Sequence, residues 1–342
     1  MISHEFYMKK CIEIANKGIG NVSPNPLVGS LIVYEGNIIG KGYHEKYGYA
    51  HAEVNAINSV KDKSILKKST LYVNLEPCNH FGKTPPCTDI IIKNNIPKVV
   101  IGCLDSYSKV KGKGIERLKK NGVKVIYGVL NKESRNLNKR FLTFHEKKRP
   151  YIILKWAQSI DGYIAPKVQN SPFWMTSKES KLLVHKWRAE EDSILVGRKT
   201  AEKDNPFLTV REIKGKNPIR IILDKNLRLK KSINLFNNDS KTIIFNNIKN
   251  EKIGSNIYIK ICFKDLIKSI LLHLYELKVH SVIIEGGSTT LQSFINENLW
   301  DEARIFKTNK KINDGIKAVK IDKEINYEKI NKNDSLSIIF NK

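Results

Sequence analysis

Three residues constrain this chain more than anything else in it: His51 of His51-Ala52-Glu53, and Cys78 and Cys87 of NLEPCNHFGKTPPC. One imidazole and two thiols suit a borderline-soft ion such as Zn2+, which takes four neighbours in a tetrahedron. Three protein ligands leave one corner for water, and zinc lowers the pKa of that water to about 7. To share one ion, a fold must bring position 51 beside positions 78 and 87. The apolar pattern shows how it can. AEVNAINSV carries Val54, Ile57 and Val60 at helical spacing, so His51 and Glu53 open a helix. TLYVNLEP reads as a strand that delivers Cys78 at its end, and Ile90 to Lys93 continue a helix whose start carries Cys87.

Glu53, two residues past the histidine, is close enough to exchange protons with the water without being a ligand. H-x-E followed by P-C-x-x-C is the signature of zinc nucleobase deaminases. Here eight residues, not two, separate the cysteines. The residues alone leave a structural zinc site, or a buried His and Cys set with no metal, as other readings. A structural site more often has a fourth protein ligand, and none is convincingly placed. HAEV followed by PCNHFGKTPPC resembles the deaminase half of the bifunctional riboflavin-biosynthesis deaminase–reductases, in which the cysteines are spaced this way and bracket a substrate-contacting loop. The resemblance implies a catalytic Zn2+ on His51, Cys78 and Cys87, and deamination of a pyrimidine with Glu53 moving the protons. Asn25 in PNPLVG, His44 and His80 are the expected substrate contacts, although His80 could equally be a solvated loop histidine.

Around this motif the first domain reads as α/β. Residues 3 to 18 have helical apolar spacing and end at Gly18 as a C-cap. LVGSLIVYEGNIIGKGYH is a β-hairpin turning at Glu35-Gly36. PKVVIGCLD and VKVIYGVL are strands separated by the helical GIERLKKN. The order implies three layers around a mixed sheet. The deaminase domain is expected over 1–145 and a second domain over 150–342, with FLTFHEKKRP (141–150) as a polar connection.

The second domain alternates strands and helices without another H-x-E or paired cysteines. Its best local signal is SVIIEGGSTT running into LQSFINENLW, a strand ending in two glycines that open a helix. Free N–H groups and the helix dipole favour a phosphate there, although Gly-Gly is often only a turn. No G-x-G-x-x-G is present, so a Rossmann fingerprint is lacking. LKWAQSIDGYIA, WMTS, VHKWRAEEDSILVGRKTAEKDNPFLTVR and EGGSTTL are similar to the reductase half of the same bifunctional family. That resemblance implies a dihydrofolate-reductase-like domain using NADPH. By matching positions, Ala157, Trp174, Thr200, Asp204 and the stretch Gly287, Ser288, Thr289, Thr290, Leu291, Gln292 and Ser293 would contact NADPH. Ser171, Arg188, Leu208, Arg211 and Glu285 would face a ribosylamino-pyrimidine phosphate. Taken singly, Trp174 could be a core aromatic, Asp204 part of a loop stop and Arg188 a surface charge; their joint order favours the functional reading. Beyond Ala303 the Lys-, Asn- and Ile-rich tail keeps little of the family pattern, which leaves a deaminase with a degenerate reductase-like domain as an alternative.

A length of 342 residues suits two domains of ordinary size. A net charge of +26 would ordinarily suggest nucleic acid, but only ten of the 60 basic residues are arginine, the residue that reads phosphate and guanine bidentately. A nucleic-acid deaminase would also have the short cysteine spacing and no second half. The expected partner is therefore a small pyrimidine ribosyl phosphate, not nucleic acid. No apolar run approaches the roughly 20 residues that span a bilayer, and MISHEFYMKK lacks the apolar segment of a secretory signal. Cys11, Cys103 and Cys262 are scattered without framework spacing, as in a reducing compartment. A cytoplasmic protein with no membrane partner is expected, and a homo-oligomer is left open.

Overall fold

The computed structural model describes residues 3–82, 85–107, 110–168, 173 and 175–341. It divides into two compact units, Met1–Lys148 and Arg149–Lys342.

The first unit runs α1 (His4–Ala15), β1 (Gly29–Tyr34), β2 (Asn37–Tyr43), α2 (Ala52–Ser59), β3 (Thr70–Leu75), α3 (Cys87–Lys93), β4 (Lys98–Cys103), α4 (Lys113–Lys120), β5 (Lys124–Tyr127), α5 (Asn131–Leu137) and α6 (Lys139–Lys147). Its sheet has the order β2-β1-β3-β4-β5, antiparallel at the β1–β2 and β1–β3 pairs and parallel from β3 to β5. Two-residue alternation decides the layers. Ile32, Leu71, Val73, Val99 and Ile101 point to one face and pack with Ala56, Ile57, Ile91 and Leu118 from α2, α3 and α4. Leu31, Val33, Tyr72 and Val100 point to the other and pack with Tyr7, Met8 and Cys11 of α1. The result is the three-layer, mixed-sheet domain the pattern implies. The hairpin turns at Glu35-Gly36, both with positive φ (47° and 79°).

Two expectations fail in detail. The first helix ends at Ala15, capped by Asn16, and a 3-10 turn covers Asn16–Gly18. More substantially, 141–150 is not a polar connection: α6 covers Lys139–Lys147 and buries Phe141, Leu142, Thr143 and Phe144. The many lysines and polar residues of this stretch mask an apolar face, which packs on Leu75 and Cys103 at the ends of β3 and β4.

The second unit contains β6 (Tyr151–Gln158), β7 (Tyr163–Pro166), α7 (Lys178–Glu190), β8 (Ser193–Gly197), α8 (Arg198–Asp204), β9 (Ile219–Leu223), β10 (Thr242–Asn246), β11 (Glu251–Ile253), β12 (Asn256–Lys260), α9 (Leu266–Glu276), β13 (Ser281–Ile284), α10 (Ser288–Asn296), β14 (Glu302–Thr308), β15 (Gly315–Lys317), β16 (Glu328–Lys329) and β17 (Asp334–Phe340). Among these, one sheet has the order β11-β12-β10-β9-β8-β13-β6-β14-β17-β16. The run from β12 to β14 is parallel and the outer pairings are antiparallel. α9 and α10 cover one face through Ile270, Leu274, Leu291 and Phe294. α7 and α8 cover the other through Val184, Trp187 and Ala201. The chain leaves β6 and builds outward through β8, β9, β10 and β12. It then returns to place β13 between β8 and β6. Such a reversal opens a crevice at the carboxyl ends of those strands, where α/β sheets bind ligands. The Lys- and Asn-rich tail is part of this architecture: β17 pairs with β14 over seven residues, from Glu302↔Phe340 to Thr308↔Asp334.

Candidate active sites

In the first unit, His51 is the N-cap residue of α2, Cys78 follows β3 and Cys87 opens α3. Their ligand atoms lie within 4.8 Å of one another. His51 Nδ1 is 3.2 Å from Cys87 Sγ and 3.5 Å from Cys78 Sγ. Tetrahedral zinc with ordinary Zn–N and Zn–S bonds sets neighbouring N and S ligands about 3.5 Å apart. The donor set and its spacing therefore fit Zn2+. The Cys87 N–H donates to Cys78 Sγ at 3.3 Å, and the Thr88 N–H donates to the Cys78 carbonyl, so the start of α3 holds the strand-borne cysteine in place. A hydrogen bond from Cys87 and the adjacent imidazole pull the Cys78 thiol down to about 4 against its burial. The same hydrogen bond, together with burial, pushes Cys87 well up. Glu53 is buried on the first turn of α2, and burial raises its carboxyl to about 7 against the pull of His51.

The expected substrate contacts gather beside this cluster. The His44 ring lies edge-on to His51, with centroids 5.4 Å apart. His44 Nδ1 is 3.0 Å from the Ala50 carbonyl, which can only accept, so Nδ1 carries the proton. Burial lowers the pKa of His44 and keeps the ring neutral, leaving Nε2 to accept from the Asn25 amide at 3.0 Å. His80 lies on the stretch between the cysteines, edge-on to Tyr107, and its Nδ1 and the neighbouring Asn79 Oδ1 are buried without a hydrogen-bond partner among the described residues. These are the unspent polar groups that a polar heterocycle would satisfy.

Three positioning residues escape the sequence reading. Asn74 and Asn138 both donate to the Leu27 carbonyl at 2.9 Å, while Asn138 Oδ1 accepts the Leu27 N–H at 2.8 Å. Together they clamp the PNPLVG loop two residues past Asn25. Glu76, directly before Pro77-Cys78, accepts four backbone N–H groups at 3.0–3.3 Å, from Asp105, Gly112, Gly114 and Ile115. Glu76 thus caps the start of α4. A Cβ at Gly114 would lie 2.2 Å from the Pro77 carbonyl, so glycine is required there. Pairings this distant in sequence leave no local signal.

In the second unit Ala157, Thr200, Glu285 and the stretch from Gly287 lie at or just past the ends of β6, β8 and β13. Arg188 of α7 donates to Glu285 at 2.9 Å, and Lys155 of β6 is 3.6 Å from the other Glu285 oxygen. Burial alone would raise the Glu285 pKa, but the Arg188 and Lys155 charges hold it down to about 2. Burial depresses the Lys155 ammonium. Among the described residues, Arg188 Nε and Glu285 Oε1 are buried atoms without hydrogen-bond partners. Lys155 is a further site residue that the sequence reading missed: in YIILKWAQ it interrupts an apolar strand, a signal that was available. Arg211 donates to Thr209 Oγ1 at 3.0 Å and stacks on Phe207.

Thr200 Oγ1 accepts the Gly287 N–H at 3.0 Å, joining the start of α8 to the start of α10. A Cβ at Gly286 would lie 2.7 Å from the Thr290 Cβ, so the turn needs glycine to let the backbone pass. This close-packed pair of helix starts fits a dinucleotide phosphate. Ala157 is the penultimate residue of β6 and packs on the α7 face, and Asp204 ends α8, exposed. Not every expected residue offers its side chain. Leu208 and Leu291 are core residues, and α10 begins at Ser288, so Leu291, Gln292 and Ser293 belong to the helix body and not to a turn. Ser171 and Trp174 lie outside the described residues.

Comparisons with known proteins cover both units of the chain. Residues 1–103 match the cytidine and deoxycytidylate deaminase zinc-binding region, and residues 150–310 match the RibD C-terminal domain. The riboflavin biosynthesis protein RibD of Aquifex aeolicus is 43% identical over 318 residues, covering 91% of this chain and 88% of that protein. The protein of the same name from Bacillus amyloliquefaciens is 38% identical over 312 residues, covering 88% and 83%. The crystal structure of a diaminohydroxyphosphoribosylaminopyrimidine deaminase/5-amino-6-(5-phosphoribosylamino)uracil reductase from Thermotoga maritima superposes with a TM-score of 0.89 at 36% identity over 98% of both chains. A zinc-type donor cluster in one unit and a basic crevice with paired helix starts in the other thus meet the same relatives from end to end, and the chain belongs to the RibD family of bifunctional riboflavin-biosynthesis deaminase–reductases.

Proposed function

We propose that this chain deaminates 2,5-diamino-6-(ribosylamino)pyrimidinone 5′-phosphate in its first unit. Its second unit then reduces the product, 5-amino-6-(5-phosphoribosylamino)uracil, converting ribosyl to ribityl. The observation that carries this reading is the presence on one chain of a His51/Cys78/Cys87 cluster beside buried Glu53 and of an Arg188/Lys155/Glu285 crevice.

His51, Cys78 and Cys87 hold Zn2+, which when bound makes water a competent nucleophile near neutral pH. Glu53 takes a proton from the attacking water and passes it to the ring nitrogen and the departing ammonia. Asn25, its amide fixed by the neutral His44, holds the ring edge, and His80 closes over it from the stretch between the cysteines. In the second unit, Ala157, Thr200, Asp204 and the first turn of α10 hold NADPH, which when bound supplies the hydride. Ser171 and Trp174 keep the roles the resemblance implies. Arg188 and Arg211 clasp the substrate phosphate, because guanidinium groups bind it bidentately. Glu285 anchors Arg188 and Lys155, and Lys155 provides a proton for the oxygen freed when the ribosyl ring opens. Leu208 takes part through its main chain, since its side chain is in the core.

The degenerate-reductase alternative loses ground because the divergent tail still supplies β14 and β17 to the sheet. The long gap between the cysteines and the second unit both weigh against a nucleic-acid substrate. A cytoplasmic location belongs to the same proposal. Among the described residues, no helix is long and apolar enough to cross a membrane. A coupled assay that scores ammonia release and NADPH consumption separately tests the reading. Both signals are expected from the diamino substrate. Ammonia without NADPH oxidation, even when deaminated substrate is supplied, would reduce the protein to a deaminase.

A further inference from the structure

His185 stands on α7, one turn before Arg188, and is buried to 1% exposure. Its Nδ1 accepts the backbone N–H of Arg211 at 3.0 Å. Only an unprotonated nitrogen can accept that bond. Burial, the charges of Arg188 and Arg211 and the ammonium of Lys181 depress its pKa to about 4, against the weaker opposing pull of Glu212. Glu212 is itself paired with Lys181 at 2.6 Å. The ring is therefore neutral and accepting at working pH.

This bond ties together the roots of two guanidinium groups. Arg188 and Arg211 are close enough for Arg188, after burial, to depress the pKa of Arg211. An anion between them relieves that repulsion. The span between the groups depends on how the Arg211 backbone sits against α7. The neighbouring Val210 N–H is tied separately, to Asn217 Oδ1 at 2.8 Å. His185 is the one of these two anchors that carries the Arg211 backbone on the helix bearing Arg188.

We infer that His185 is a positioning residue for substrate phosphate in the reductase unit: by accepting the Arg211 N–H, it sets the Arg211 guanidinium opposite Arg188 at the separation one phosphate group bridges. This inference rests on the reading of Arg188 and Arg211 as phosphate ligands. A hydrocarbon in its place would leave the N–H unpaired and the Arg211 backbone free to swing. Asparagine would not, because its Oδ1 falls where Nδ1 lies, whereas glutamine places its polar group nearer the Nε2 position.

The test uses the full-length enzyme, NADPH and two substrates, 5-amino-6-(5-phosphoribosylamino)uracil and its dephosphorylated form, with inorganic phosphate as competitive inhibitor. His185→Leu and His185→Gln are expected to raise KM for the phosphorylated substrate about tenfold and to weaken phosphate inhibition to match. kcat, KM for NADPH, turnover of the dephosphorylated substrate and ammonia release stay at wild-type values. His185→Asn restores the phosphorylated KM. If Leu and Gln lower kcat or damage both substrates alike, or if Asn is no better than Gln, His185 is only structural and the inference fails. Should the Leu variant not fold, the contrast between Asn and Gln decides alone. Arg211→Ala separates the two claims. If it leaves the phosphorylated KM unchanged, the phosphate reading itself is wrong; if it raises KM while the His185 variants do not, only the positioning role is lost.

Discussion

At the scale of single residues, what stands out is how many of the ionisable groups of each site are largely buried. Glu53 lies buried beside two thiols and an imidazole and adds no ligand atom to their cluster. Glu53→Gln is therefore expected to bind about one zinc per chain by metal analysis while ammonia release falls by at least about 100-fold. Retained turnover would remove Glu53 from the chemistry. Glu285 presents the reverse case, a largely buried carboxylate held ionised by two cations. Because its folded pKa is depressed, its stabilising contribution is complete above the usual carboxylate range and is lost as pH falls towards about 2. The difference from an ordinary carboxylate corresponds to about 3 kcal/mol. Urea unfolding between pH 5 and pH 3 should show the wild type losing stability more steeply than Glu285→Gln. The variant should also be less stable at pH 7, because it leaves Arg188 and Lys155 without their anion. Equal slopes would contradict the depressed pKa.

At the scale of elements, the sites are assembled by long-range polar clamps. Glu76 gathers four N–H groups around the start of α4. Glu76→Ala leaves them unpaired, and Glu76→Gln turns a donor against two of them. Both should cost about 2 kcal/mol or more in urea unfolding of the zinc-loaded protein. Gly286→Ala should raise KM for NADPH and leave ammonia release intact, because the added methyl group meets Thr290. Wild-type NADPH kinetics in that variant would disprove the close approach. These elements also show what the sequence could disclose. Strand alternation and the H-A-E, P-C and Gly-Gly marks are local, so the layers, the metal cluster and the helix start after Gly287 were readable from them, whereas its tie to Thr200 was not. The Asn74–Leu27–Asn138 clamp and the Glu76 cap join positions tens of residues apart, for which a single sequence gives no pattern. Lys155 could have been found, as a charge inside an apolar strand. The α6 helix was missed because abundant lysine hides its apolar face.

At the scale of the whole molecule, two units with separate sites imply two separable activities. Removing the metal with a chelator should abolish ammonia release and spare NADPH oxidation when deaminated substrate is supplied; Arg188→Ala should do the opposite. Joint loss in either experiment would mean that the sites are not independent. The order of elements along the chain also bears on how the protein is made. Every ligand of the first site has been synthesised by Cys87, and the unit around it is contiguous to Lys148. The second site cannot exist so early, because β13 slots between β6 and β8 long after both are synthesised, and only then does Glu285 follow. Such late insertion into a parallel sheet is a slow, non-local step. During synthesis, then, the nascent chain acquires the means to hold zinc well before it can hold NADPH, and the two sites arise in the order in which the substrate needs them.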